Sequence, residues 1–203
     1  MNVRMRKGLL LFEPEQGTAD DLAGWASAHA GQVFRLRRTN EGFLFFQAIG
    51  PEEEACRVPM NITSRSPGTL KMISNFAEAH FVLDGTEYAS VEGFWQGLKF
   101  PGEADRRRLA ALYGSAAKDA GYYAPKSDVI VYAGQHVRAG TWDHWQLMER
   151  ACIAKFEQCE AARVALLSTG KRPLVHQMRR DSRNIPGVIM ADIWMRIRAN
   201  LQN

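Results

Sequence analysis

Cysteine is scarce in this 203-residue chain: there are three, Cys56, Cys152 and Cys159. None falls in a CxxC, and none joins a Cys/His cluster at zinc-ligand spacing. Cys152 and Cys159 sit seven apart on an expected helix. They share a face there but lie roughly 10 Å apart along its axis at ~1.5 Å rise per residue. That is too far for a disulfide. A disulfide framework is therefore excluded, and no metal or other cofactor is expected. Long apolar runs are also missing, since nothing approaches the ~18 residues of a membrane span. The basic start MNVRMRKG leads only into LLLF before acidic residues follow, which is too short for a signal-peptide core. The expectation is a reducing, cytoplasmic setting with no membrane partner. There are no internal repeats and no low-complexity tracts.

What is present is ordinary for a globular protein: 46% apolar and 24% charged residues. The length suits one domain with a modest extension and allows a core without staples. A net charge of +4 and a pI of about 9.1 permit a phosphate-bearing partner without demanding one. The run Arg106-Arg107-Arg108 reads first as a solvated helix face.

Residues 1–60 read as a small extension of strands and one helix, expected to pack on the main domain, residues 61–203. Strands are expected at 8–12, 32–38 and 42–49. Thr18 is a good N-cap for a helix carrying Leu22, Trp25, Ala26 and His29 on one face. The remainder is mostly helical. Helices are expected at 90–100, 103–120, 145–167 and from Pro186 to the end, with a short β-like run at 129–132 and a polar loop at 181–187. The fold class expected is α+β, compact and helix-rich.

The chemistry concentrates in residues 72–100. Val91, Phe94, Trp95 and Leu98 recur at i, i+3, i+4 and i+7, so they face a core. Glu92 and Lys99, seven apart, lie almost superimposed at the edge of that stripe, with Gln96 between them. A carboxylate and an ammonium at the rim of a buried face are partly desolvated, which suits acid/base work. A surface ion pair worth ~0–1 kcal/mol is the plainer reading of the same spacing.

A resemblance changes that balance. Ser74-Asn75-Phe76, Asp84-Gly85, Tyr88-x-Ser90-Val91-Glu92 and Gln96-x-x-Lys99-Phe100 together resemble the signature of the NADAR (YbiA-like) family. Ala154-Lys155-Phe156-Glu157-Gln158 resembles its second block. Leu166-Leu167-x-Thr169-Gly170, Leu174-Val175 and Asp181 resemble its third. The resemblance spans roughly residues 61–201. It implies a compact helix-rich α+β domain and a hydrolase of N-glycosidic bonds. Some members of that family act on phosphorylated riboflavin-pathway intermediates, others on ADP-ribose attached to guanine in nucleic acid. The family's essential glutamate falls on Glu92, its lysine on Lys99 and its loop aspartate on Asp181. Its active-site tryptophan falls most nearly on Trp142, with Trp145 as a rival.

Breaking a ribosyl C–N bond builds oxocarbenium-like charge on the sugar, and the leaving nitrogen needs a proton. The resemblance implies that Glu92 and Asp181 share these tasks, in an order left open. Lys99 would meet a phosphate or form a Schiff base with the ring-opened sugar. Trp142 would stack on the base. Ser74, Asn75, Phe76, Gln96 and Arg183 would complete the substrate contacts. The expected partner is an ADP-ribose-like or phosphoribosyl small molecule, or ADP-ribosylated nucleic acid. The pattern departs from the family at Gly93, where histidine is common, and at His176, where glutamate is common. It departs again after Asp181, where an aromatic and Trp-Gly give way to Ser182-Arg183-Asn184-Ile185-Pro186-Gly187. Arg179, Arg180 and Arg183 would hold Asp181 charged and meet phosphates, or form a solvated loop. These departures keep a non-catalytic ADP-ribose or NAD-metabolite binding module as the alternative.

Overall fold

The structure is a computed structural model that describes residues 2–6, 9–13, 34–38, 44–48, 58–180 and 182–202. The chain divides into two compact units, Met1–Val58 and Pro59–Asn203. In the first unit, β1 (Asn2–Arg6), β2 (Leu9–Glu13), β3 (Phe34–Arg38) and β4 (Leu44–Ala48) form one sheet in the order β1-β2-β4-β3. All three pairings are antiparallel, with Arg4 opposite Leu11, Leu10 opposite Phe46 and Leu36 opposite Phe46. The basic stretch at the start is thus a strand that the alternation did not reveal. The helix expected after Thr18, with Leu22, Trp25, Ala26 and His29, lies outside the described residues.

The second unit is α+β, helices around three two-stranded sheets. It opens with β5 (Met60–Asn61), which pairs in parallel with the late strand Leu174–Val175, so distant segments are joined at once. A 3-10 turn, Gly68–Ile73, follows. Then comes a tight hairpin, β6 (Phe81–Leu83) and β7 (Thr86–Tyr88). Its turn residues Asp84 and Gly85 both have positive φ, 50° and 77°. That is the turn geometry a two-residue hairpin needs, and Asp-Gly tolerates it best.

Helix α1 (Val91–Gly97) is buried along its whole length. Ser90 caps it, accepting from the Gly93 amide at 2.9 Å while its hydroxyl donates to the Leu112 carbonyl at 2.8 Å. The single helix expected at 103–120 is in fact two, α2 (Glu103–Ala110) and α3 (Gly114–Tyr122). Tertiary partners break it. The carbonyls of Ala110 and Leu112 accept from Ala89 N–H (2.7 Å) and from Ser90, and Gly114, at φ 60°, donates to Phe76 O at 3.0 Å. Of the arginine run, Arg107 and Arg108 do pair with helix neighbours in solvent, whereas Arg106 reaches back to Phe100 O and Val131 O.

The expected run at 129–132 is β8 (Val129–Tyr132), and it pairs with β9 (Gln135–Arg138) through a second positive-φ turn at Ala133-Gly134. The helix expected at 145–167 is again two, α4 (Trp142–Gln158) and α5 (Glu160–Leu167). The break falls at Cys159, whose backbone is extended. Just before it, the Gln158 amide pairs with both backbone groups of Val82, at 2.8 and 2.9 Å, and so docks the helix end on the β6 edge. After β10 (Leu174–Val175), α6 (Gly187–Leu201) closes the unit, with Pro186 at its cap position. The core is drawn from all of these: Ile62, Ile73, Phe94, Phe156, Leu166 and Trp194 are sealed from solvent. Among the described residues no helix is long and apolar enough to cross a membrane.

Gly93 sits where α1 meets the backbone between α2 and α3. A Cβ there would lie 2.6 Å from Leu109 O and 2.7 Å from Leu112 O. Histidine, common at this place in the resembled family, has no room. In a helix interior Gly→Ala ordinarily gains about 0.5–1 kcal/mol. Here Gly93→Ala should instead lose about 1–3 kcal/mol through overpacking, read as a lower midpoint in denaturant unfolding. An unchanged or higher midpoint would contradict this packing.

Candidate functional site

A cavity of about 860 Å³ opens beside α1. The helix supplies Glu92, Trp95 and Gln96 to its lining, and the turn before the hairpin supplies Ser74, Asn75 and Phe76. Met148 of α4, with Met190 and Trp194 of α6, close the apolar side. The rim carries Arg65, Arg179 and Arg180, and Lys118 of α3 joins them. Among the described residues its charged lining is therefore cationic around one carboxylate.

That carboxylate is placed by backbone as much as by packing. The Glu92 amide donates to Asn75 O at 2.9 Å, which ties the first turn of α1 to the Ser-Asn-Phe turn. Glu92 is only 6% exposed. Burial raises its pKa, and the Gln96 hydrogen bond and the charges of Lys118 and Lys99 only partly offset this. Gln96 Nε2 donates to Glu92 Oε1 at 2.7 Å, while the Gln96 carbonyl oxygen is buried without a partner. Turning that amide over would pair the orphaned oxygen with a protonated Glu92. Both observations favour a carboxyl that holds its proton more tightly than a free glutamate. Gly121 makes room for the amide, since a Cβ there would fall 2.0 Å from Gln96 Oε1.

Asn75 is held among sulfur atoms. Its amide donates toward Met190 Sδ (3.1 Å) and Met148 Sδ (3.5 Å), and Cys152 Sγ lies 3.8 Å from its oxygen. Beneath the turn, Lys155 is buried in the core, and its ammonium donates to Ser74 O (2.8 Å) and Ile73 O (3.2 Å). Burial pulls this lysine down to about 8.

The other expected residues disperse. Lys99 lines a neighbouring smaller cavity, about 260 Å³, which shares Trp95 with the first. Burial lowers its pKa, opposed by Glu92 and reinforced by Lys118. His144, stacked on Trp95 at 3.9 Å between ring centroids, is held neutral by burial and by Lys99, at about 4. Trp142 is 59% exposed and lines neither cavity. Its rival Trp145 is half-buried against the core and donates to Asn184 O at 2.7 Å, pinning the loop before α6. Arg183 is exposed and lines neither cavity. Asp181 lies outside the described residues, though its neighbours Arg180 and Ser182 both line the main cavity. His176 Nδ1 donates to Ile62 O (2.7 Å) and the ring packs edge-on against Trp194, a structural use, yet it also lines the cavity. Among the described residues no group of three or more His, Cys, Asp or Glu could hold a metal ion.

Comparison with known proteins bears on this arrangement. The profile of a family described as bacteriophage protein GP30.3 matches residues 69–193, more than half of the chain. The chain belongs to that family. A GP30.3-family relationship also fits a protein of Enterobacteria phage T4, described as an uncharacterized 17.1 kDa protein in the Gp30-rIII intergenic region. It is 45% identical over 49 residues, 24% of this chain and 32% of the phage protein. The match thus spans about a third of that relative's length. Among solved structures, the NMR structure of the E. coli protein YbiA aligns with a TM-score of 0.50 and 22% identity, covering 72% of this chain and 89% of YbiA. At that identity the likeness is one of fold, and the fold of this GP30.3-family chain is YbiA-like.

Two contributors escaped the sequence reading. Lys118 lies 5.5 Å over the Phe76 ring and faces Glu92, but it sits alone on a polar helix and no spacing links it to α1. Lys155 was visible only as a member of a family block. Its signal is a lysine on the apolar face of α4, between Cys152 and Phe156.

Lys155→Met should expose that role. Two core carbonyls lose their donor, at about 1–3 kcal/mol for an orphaned group. An unfolded lysine titrates near 10.5, whereas the native one does so at about 8. The native state therefore releases its proton first, and wild-type stability rises between those values. The deficit of Lys155→Met in denaturant unfolding should accordingly widen from pH 8 to 10.5. A flat deficit would contradict a titrating buried ammonium.

Proposed function

We propose that this GP30.3-family protein hydrolyses a ribosyl C–N bond on an ADP-ribose-type or phosphoribosyl substrate, with ADP-ribosylated guanine in nucleic acid within that class. The observation that carries the reading is Glu92. Among the described residues it is the one carboxyl lining a cationic, nucleotide-sized cavity, and it is buried, with a raised pKa and a partner amide that fixes its plane. Pockets for small molecules commonly run ~300–1,000 Å³, so the volume suits a nucleotide-like ligand.

The chemistry follows from this placement. The C1–N bond breaks with its electron pair going to nitrogen, which takes up a proton. Water adds to C1 and gives a proton back. A protonated Glu92 supplies the leaving nitrogen; once ionised, it steadies the positive sugar carbon and accepts the proton of water. Asp181, flanked by two residues that line the cavity, is the proposed second carboxylate. Ser74, Asn75, Phe76 and Gln96 form the wall against which the sugar would rest. Lys99, in the adjoining smaller cavity, would hold a phosphate or form a Schiff base with the ring-opened sugar. Arg183 and Trp142 remain proposed contacts only for a ligand extending beyond the cavity. The outward position of Trp142 favours, as a second reading, a module that binds ADP-ribose without turning it over.

Glu92→Gln separates the two. Wild type should release free ribosyl product from ADP-ribosylated guanine oligonucleotide or from phosphoribosyl pyrimidines, followed by mass spectrometry. The variant should lose at least about a hundredfold in rate, as for removal of a general acid, while keeping its affinity. No release by wild type, with ADP-ribose still bound, selects the binding module. Stability should move the other way. Because burial raises the Glu92 pKa, the native state binds more protons than the unfolded one through that range, and stability falls as pH rises through it. Glu92→Gln removes the cost, so its Tm should exceed wild type at pH 8 and converge with it toward pH 4.

A further inference from the structure

The smaller cavity has a chemistry of its own. Lys99 enters it from the end of α1 and Lys126 from the segment between α3 and β8, with Asn184 and the His144 ring beside them. No carboxylate lines it among the described residues. Trp95, Ile130 and Val129 add apolar wall, and Ser127 and Tyr122 add hydroxyl groups. Lys99 is half-buried there, so its charge is partly stripped of water. Two lysines line this half-dry cavity and no carboxylate of its described lining competes for them, so an anion placed between them is attracted by both. The volume, about 260 Å³, falls below the ~300 Å³ at which pockets for drug-sized ligands begin. It accepts a phosphate group rather than a whole nucleotide. Tyr122 is 85% exposed, and its ring meets that of Tyr123 edge to face at 5.7 Å. Tyr122 also lines the cavity.

We propose that this smaller cavity is a second ligand site, for a phosphate group held between Lys99 and Lys126, with Tyr122 flanking whatever carries it. The site deepens the phosphate role proposed for Lys99 and does not depend on bond cleavage at Glu92. Its carrier is either a free phosphate or phosphomonoester, or a strand of nucleic acid whose terminal base stacks on the tyrosine. Because Trp95 lines both cavities and Lys99 acts on Glu92, an anion bound here also removes part of the positive field that eases ionisation of Glu92.

Calorimetric titration of the full chain with inorganic phosphate tests the site, using wild type, Lys126→Glu, Arg179→Ala and Glu92→Gln. Wild type should bind saturably. Lys126→Glu, an exposed change checked for folding by circular dichroism, should weaken binding at least roughly tenfold, as for loss of a charge-assisted contact. Arg179→Ala should stay within about twofold of wild type, since a charge in the other cavity contributes only through the shared wall, and Glu92→Gln, which removes the carboxylate that acts on Lys99, should bind phosphate at least as tightly. Absence of saturable binding overturns the proposal. So does binding that Arg179→Ala removes and Lys126→Glu spares, which would place the phosphate in the main cavity. The carrier is resolved by repeating the titration with a short single-stranded oligonucleotide, with and without a 5′-phosphate. Tighter binding of the phosphorylated strand, lost in Tyr122→Ala, assigns the site to nucleic acid; equal affinity for inorganic phosphate assigns it to a free phosphate. Either result upholds the site.

Discussion

Everything near the site depends on how closely α1 lies against the backbone that joins α2 to α3. Ser90 caps α1 and in the same stroke bonds Leu112 O, while Gly93 lets two carbonyls come within what would be Cβ contact. A seven-residue helix has little stability of its own. It persists because packing and these few directed hydrogen bonds surround it on every side. The consequence is chemical. A helix buried all round has no solvent face on which to place polar residues, so Glu92 and Gln96 must turn toward a cavity. Lys99, just beyond the helical residues, turns toward a second one.

The energetic strain of that arrangement is visible in two places. Glu92 lacks a close cation, and Lys118 and Lys99 act on it only at a distance. Gln96 satisfies one oxygen of the carboxylate and leaves its own carbonyl orphaned. A buried polar atom without a partner costs on the order of 1–3 kcal/mol. Such cost gathers where a ligand or a proton is meant to arrive. Lys155 shows the contrasting, structural use of a buried charge: its ammonium meets two carbonyls of a turn and faces no cavity. Burial alone therefore does not mark function. What separates Glu92 from Lys155 is an open volume on one side and an unfilled hydrogen bond beside it.

Much of this was legible in the residues. The stripe Val91, Phe94, Trp95 and Leu98 does face the core, and all four are buried. Cys152 and Cys159 are free thiols. The α+β class and the last helix were also legible, because each rests on local periodicity or on a strong punctuator such as Pro186. The two helix breaks were not. Neither Leu112–Gly114 nor Cys159 carries proline. The chain leaves the helix there because groups far along the sequence, Ser90, Phe76 and Val82, bond the backbone or the adjoining side chain. Only Gly114 offered a local hint. The hairpin at Asp84-Gly85 was readable as turn chemistry, but its strands are three residues each, too short for alternation to show. Lys118 escaped for the same reason as the breaks: it joins Glu92 through tertiary packing of α3 on α1, which no spacing within either helix encodes.

The departures from the resembled family are physically linked. At Gly93, where the resembled family commonly has histidine, the carbonyls of Leu109 and Leu112 fill the space a side chain would need. The segment after Asp181 replaces an aromatic loop, yet its path is still fixed by tryptophan. Trp145 holds Asn184 O, and Ile185 is buried behind it. The aromatic anchor thus sits on α4 rather than in the loop, and it acts on backbone, leaving the loop's own side chains free to vary. Just before Asp181, Arg179 and Arg180 stand at the cavity rim. A segment held from beneath after Asp181 and cationic at the rim before it sets what the entrance attracts. Polyanionic substrates gain from that exchange through their longer-range attraction to the rim, whereas a singly charged phosphoribosyl compound gains little. In the proposed function the altered loop acts on substrate choice, and Glu92 beneath it is the element on which turnover would depend.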